Sequence, residues 1–80
     1  MIMVIKEKVL ELVAECLDMP VEDLNHDTDM DHLDGWDSMR NVMILSRLEN
    51  EFDVMIPEDD IFDLVSIGSI VKEIEKLKAE

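Results

Sequence analysis

Apolar residues recur every three or four positions in three stretches of the chain, the spacing of helices with one buried face. The first stretch predicts a helix from about Ile2 to Leu17, whose buried face comprises Ile2, Ile5, Val9, Leu12, Val13, Cys16 and Leu17. The second predicts a helix from Ser38 to about Glu51, with a buried stripe of Val42, Leu45, Leu48 and Phe52. The third follows Ser66, a predicted N-cap, and buries Ile67, Ile70, Val71, Ile74 and Leu77.

A long connection, from about Met19 to Asp37, separates the first two predicted helices. The first helix ends before Pro20, because the residue that precedes a proline avoids helical backbone geometry. A short turn is expected from Val21 to Leu24, with Leu24 directed inward, and Leu33 is expected to hold the loop against the core. Loops of this length within a compact domain are often functional.

The second connection leaves the helix in extended form over Phe52 to Ile56. Pro57 and the acidic residues after it predict a short helix that ends at Leu64, since carboxylates are favourable at the positive end of a helix dipole. The prediction is therefore an all-α fold, a small four-helix bundle with three main helices, one short helix and a long first loop. Residues 1–80 are expected to form one domain.

The charge of the chain restricts its partners. Twenty-one acidic against seven basic residues give a formal net charge of −14. This balance excludes nucleic acid and disfavours anionic membranes, whereas it favours basic protein partners. No apolar run approaches the roughly 18 residues of a membrane span, and no signal peptide is recognisable. A lone cysteine, Cys16, argues against a disulfide scaffold and favours a cytoplasmic location, with the thiol buried in the core. We expect the protein to be a monomer.

Several kinds of chemistry are suggested by the loop but fail on inspection. Residues 27–31 resemble the start of a calcium-binding EF-hand loop, yet His32 stands where glycine is needed and Ser38 where glutamate is needed. Only loose binding of divalent ions is expected there. His26 and His32 lack structural zinc spacing. We therefore predict no dedicated metal site. A hydrolase based on Ser38 would need a glycine-rich nucleophile turn, which is missing, so we do not predict an enzyme.

Ser38 by itself is typical of a helix cap. Asp37 and Ser38 directly precede an apolar helix, where aspartate and serine are common N-caps. Arg40 and Asn41 occupy the positions at which a capping box would have glutamate or glutamine. On local sequence alone, capping is the simpler interpretation of Ser38.

Four segments in order change that interpretation. They are Gly35-Trp36-Asp37-Ser38-Met39, Leu48-Glu49-Asn50-Glu51-Phe52, Asp53-Val54-Met55-Ile56-Pro57 and Ile67-Gly68-Ser69-Ile70-Val71. At these spacings, and in an acidic chain of this length, the set resembles the acyl carrier protein superfamily, which includes peptidyl and aminoacyl carrier domains. The resemblance extends over nearly the whole chain. It implies a carrier that holds a chemical group and does not transform it.

The resemblance also implies a role for individual residues. Ser38 would receive 4′-phosphopantetheine from a phosphopantetheinyl transferase, and the thiol of that arm would carry acyl or aminoacyl groups as thioesters. Asp37 would help the transferase and its magnesium engage the site. Met39 stands where the family usually has leucine.

The expected partner surface consists of Met39, Arg40, Met43 and Arg47. Met43 fits a core position equally well, and Ile44 fits the core better. Many family members have an acidic second helix, whereas the acids here lie mainly in the preceding loop. We therefore expect loading, condensing or tailoring enzymes of a polyketide, nonribosomal peptide or other specialised pathway as partners. The alternative is an unmodified carrier-like bundle that acts as a protein-interaction subunit.

Overall fold

Three α-helices form the framework of the protein: α1 (Ile2–Leu17), α2 (Ser38–Phe52) and α3 (Ile67–Ala79). The computed structural model describes the backbone of residues 2–79 and the side chains of residues 5–79, so the predicted burial of Ile2 lies outside the described side chains. Short 3₁₀ helices lie in the connections, at Val21–Asp23, Met30–His32 and Glu58–Asp63. The predicted all-α bundle of three main helices is confirmed, and the predicted short helix after Pro57 is the 3₁₀ helix Glu58–Asp63.

Helix α1 packs against both α2 and α3 and so forms the centre of the bundle. The core is aliphatic, and Cys16 lies in it as predicted. Its fully buried aliphatic side chains are Val9, Val13, Ile44, Leu48, Ile67, Ile70 and Ile74. None of the helices in the described part of the chain is long and apolar enough to cross a membrane.

The buried face of α2 differs from the predicted stripe by one position. Val42 is 59 % exposed, so its predicted burial is wrong, whereas Phe52 is partly buried and packs against the core. The face that packs inward comprises Asn41, Ile44, Leu45 and Leu48. The first residue of this set, Asn41, is polar. A search for apolar positions alone therefore selects the next residue, Val42, which lies about 100° around the helix.

The long loop between α1 and α2 is anchored at several points. Asp18 adopts a left-handed backbone conformation (φ 55°) directly after α1. Residues 26–30 then make three backbone hydrogen bonds to residues 65–68 at the start of α3, with N–O distances of 2.9, 2.9 and 3.0 Å. The predicted turn after Pro20 is present, Leu24 is buried, and Leu33 packs against the core. These contacts hold the loop in place just before the segment that leads into α2.

The start of α3 has the predicted cap. Ser66 Oγ accepts a hydrogen bond from the Ser69 N–H, and Ser69 Oγ accepts one from the Ser66 N–H, both at 3.2 Å. The imidazole of His26 lies close against Gly68, where an added Cβ would come within 2.6 Å of Nε2. A larger residue at position 68 would therefore require the exposed His26 side chain to move away from α3.

Candidate functional site

Ser38 is the first residue of α2, and it is not the N-cap. The cap is Asp37, which has extended backbone and accepts a hydrogen bond from the Arg40 N–H at 2.8 Å through its carboxylate. The local interpretation of Ser38 as the cap is therefore wrong. Its side chain is exposed, and its hydroxyl is free of a capping role.

A buried pair brackets Ser38 in the sequence. Trp36 is 2 % exposed, and its indole Nε1–H donates to Asn41 Oδ1 at 3.0 Å. The Trp36 backbone N–H donates to the Leu33 carbonyl at 3.0 Å. Asn41 was not identified from the sequence as a site residue. The signal that would have found it is its position in the register of the buried face, three and four residues before Ile44 and Leu45.

A small pocket of about 270 Å³ adjoins Ser38. One side of it is α2, and the other is the 3₁₀ helix Glu58–Asp63 with its flanks. Besides Ser38, the lining residues are Met30, Asn41, Val42, Ile61, Phe62 and Val65. A second pocket, of about 200 Å³, shares Val42 and Ile61 with the first and extends along α2 toward Glu49 and Ile56.

The outer face of α2 is apolar near Ser38. Met39, Val42 and Met43 are all exposed, and Phe62 on the adjacent 3₁₀ helix is 87 % exposed. Met43 therefore belongs to the surface, whereas Ile44 lies in the core as expected. Phe62 was missed by the sequence analysis, because an aromatic residue in a short helix is more often a core residue.

Arg40 and Arg47 make contacts with α1. The Arg40 guanidinium donates to the Cys16 carbonyl, one of the last carbonyls of α1, which lack intrahelical partners. Arg47 lies 3.1 Å from a carboxylate oxygen of Glu15 and 3.8 Å from Cys16 Sγ. The hydrogen bond to Glu15 raises the pKa of Arg47 above its ordinary value. Both arginines thus join α2 to the end of α1, although their side chains remain partly exposed.

The acidic loop contains one close ion pair. Asp29 Oδ1 lies 2.7 Å from His32 Nδ1 and also accepts the His32 backbone N–H at 3.0 Å. The side-chain hydrogen bond to Asp29 raises the pKa of His32, and the same bond lowers the pKa of Asp29. Among the described residues, no group of three or more His, Cys, Asp or Glu side chains is arranged to hold a metal ion.

Comparison with known proteins identifies the family. Residues 7–74, a span that includes Ser38 and the pocket beside it, match the family model described as "Phosphopantetheine attachment site". The chain belongs to this phosphopantetheine-attachment family. Acyl carrier proteins from two strains of Porphyromonas gingivalis are each 26 % identical to it over 72 residues, which cover 90 % of this chain and 92 % of each relative.

Membership of this family confirms three predictions. The protein belongs to the acyl carrier protein superfamily, it is a non-catalytic carrier, and its cofactor is covalently attached 4′-phosphopantetheine. Carriers of this family interact with a phosphopantetheinyl transferase and with biosynthetic enzymes.

The start of α2 fits a phosphate group. The Arg40 N–H already donates to the Asp37 carboxylate, so the N–H groups of Ser38 and Met39 are the further donors in the first turn of α2. The positive end of a 15-residue helix dipole favours an anion at the same place. The adjoining pocket provides mainly apolar side chains against which a flexible arm can lie.

Proposed function

We propose that Ser38 is the attachment residue of 4′-phosphopantetheine and that the protein shuttles acyl or aminoacyl intermediates between enzymes of a specialised pathway. The observation that carries this proposal is the exposed Ser38 hydroxyl, relieved of capping by Asp37, at the N-terminus of α2. When attached, the group supplies a terminal thiol that holds the intermediate as a thioester. The tether keeps that intermediate at a high effective concentration near each enzyme.

Asp37 is proposed to have two roles. Its carboxylate caps α2 and so holds the first turn in place around Ser38. The same carboxylate is exposed next to the modified hydroxyl, where it engages the transferase and its magnesium ion. Asparagine at this position would preserve the capping acceptor and remove the charge, so the two roles can be separated by experiment.

The proposed partner surface is the exposed apolar face beside Ser38. Met39 and Met43 lie at its centre together with Val42, and Phe62 extends it across the pocket. Arg40 and Arg47 form its edge toward α1, with their guanidinium groups directed to that helix. Acidic residues flank it in the sequence on both sides: Asp31, Asp34 and Asp37 before α2, and Glu58, Asp59, Asp60 and Asp63 in the 3₁₀ helix. A partner with an apolar site and a basic rim complements this arrangement.

The size of the pockets favours a short cargo or one that stays outside the protein. The two pockets beside α2 have volumes of about 270 and 200 Å³, and both are lined by Val42 and Ile61. Pockets that enclose a ligand of drug size are commonly about 300–1,000 Å³. Together with the arginines of α2, this supports a polyketide, nonribosomal peptide or amino-acid-activating pathway, which we propose operates in the cytoplasm. Turnover by housekeeping fatty-acid synthase enzymes at the rate of their own carrier would contradict that assignment.

Intact-mass measurement after incubation with coenzyme A, magnesium and a promiscuous phosphopantetheinyl transferase tests the attachment. The expected result is a gain of about 340 Da, the mass of one arm. Ser38→Ala should abolish the gain, whereas Ser46→Ala, which alters another exposed serine of α2, should leave it unchanged. A wild-type protein without the gain would refute the proposal and favour an unmodified interaction subunit. A gain that survives Ser38→Ala would refute Ser38 as the attachment residue and place the modification elsewhere in the chain.

A further inference from the structure

The bundle contains a polar pair in its core next to the attachment site. Among the described residues, Asn41 is the buried polar side chain, at 5 % exposure, and Trp36 is the largest of the fully buried side chains. An indole N–H can only donate, so the oxygen of the Asn41 amide must face Trp36. The 3.0 Å hydrogen bond between them therefore has a fixed direction.

The hydrogen bond of this pair joins two residues that flank Ser38 in the sequence. Trp36 lies two residues before the serine, and Asn41 lies three residues after it, one helical turn further on. The Asn41 backbone N–H also donates to the Asp37 carbonyl at 2.9 Å. The backbone bond closes the first helical turn, which contains Ser38, and the side-chain bond of the same residue ties that turn to the buried Trp36.

A contribution to stability alone does not account for this pair. Replacing both partners of a buried hydrogen bond by apolar groups of similar shape is often nearly neutral for stability. A satisfied buried polar contact instead fixes one arrangement of the surrounding chain. Group transfer depends strongly on such placement, since an error of about 1 Å can reduce the rate by about a hundredfold.

We propose that the Trp36–Asn41 hydrogen bond is a positioning element for modification of Ser38. It sets the entry of the chain into α2 so that the serine hydroxyl is presented to the transferase in one orientation. This inference rests on the proposed attachment at Ser38. Neither Trp36 nor Asn41 takes part in the chemistry itself.

The test compares Asn41→Leu, Trp36→Phe and the double variant in transferase kinetics and in urea unfolding. Each single variant should lose stability, because a buried polar group loses its partner, and each should lower kcat/KM about tenfold through kcat, with KM unchanged. The double variant leaves no unpaired polar group and should regain part of the stability, although phenylalanine in place of Trp36 leaves a cavity. Its kcat should nevertheless stay low.

Ile74→Val provides the matched control. Ile74 is fully buried in α3, so this change lowers stability without altering the turn around Ser38. Its transfer kinetics should match those of the wild type. The positioning role is overturned if the double variant regains the wild-type kcat together with its stability, or if both single variants keep the wild-type rate. Failure of the wild type to be modified would overturn the proposed attachment, and with it the inference that rests on it.

Discussion

Replacing Asp37 with alanine is expected to destabilise the protein by about 1–2 kcal/mol. Its carboxylate accepts the Arg40 N–H at 2.8 Å, and loss of such a cap typically costs about 1 kcal/mol. No acidic residue lies in the first turn of α2, so Asp37 also provides the negative charge beside the helix dipole, which adds about 0.3–1 kcal/mol. In a domain of this size, each kcal/mol lowers Tm by about 4–8 °C.

Asp37→Asn is the matched control for this prediction. It keeps a side-chain acceptor and loses the charge, so it should cost only the dipole contribution of about 0.3–1 kcal/mol. Urea unfolding can be followed through the fluorescence of Trp36, the one tryptophan in the chain. An alanine variant as stable as the wild type, or an asparagine variant that loses as much as alanine does, would refute the capping role. If the charge also engages the transferase, the stable asparagine variant should be modified more slowly than the wild type.

The remaining predictions concern the core, the loop and the partner surface. Ile44→Ala should cost about 2–5 kcal/mol in denaturant unfolding, whereas Val42→Ala should cost well under 1 kcal/mol; similar losses would contradict the observed face of α2. In an NMR titration the pKa of His32 should lie above 6.5 and fall in Asp29→Asn, because the Asp29 carboxylate favours the protonated imidazole. The pair therefore stabilises the fold below pH 6.5, and this stabilisation is lost as the pH rises through the folded-state pKa of His32. Phe62→Ala should weaken binding of the transferase or another partner at unchanged Tm; unchanged affinity would remove it from the proposed surface.

The helices could be predicted from the sequence because their signals are local. The predicted and observed bounds of α1 are identical, and α2 ends at Phe52, one residue beyond the prediction. Apolar spacing and prolines act within one element, so neither depends on the rest of the fold. The family motifs around Ser38 were recognisable for the same reason, since they occupy continuous segments.

The features that the sequence did not predict depend on contacts between elements. Asn41 is buried only because Trp36 supplies its donor, and an apolar pattern has no place for such a residue. Arg40 faces α1 because an unpaired carbonyl of Cys16 lies there, 24 residues earlier in the chain. The anchoring of the loop to α3 uses backbone groups, which every residue possesses, so no side-chain pattern indicates it.

The most direct test of the central claim is peptide mass spectrometry of the protein purified from its own cells. Cleavage with trypsin yields a peptide of residues 9–40, in which Ser38 is the one serine. If Ser38 is the attachment residue, this peptide carries an added mass of about 340 Da, or that mass plus a cargo, on Ser38. An unmodified peptide under all growth conditions, or the same added mass on a peptide that contains Ser46, Ser66 or Ser69, would contradict it.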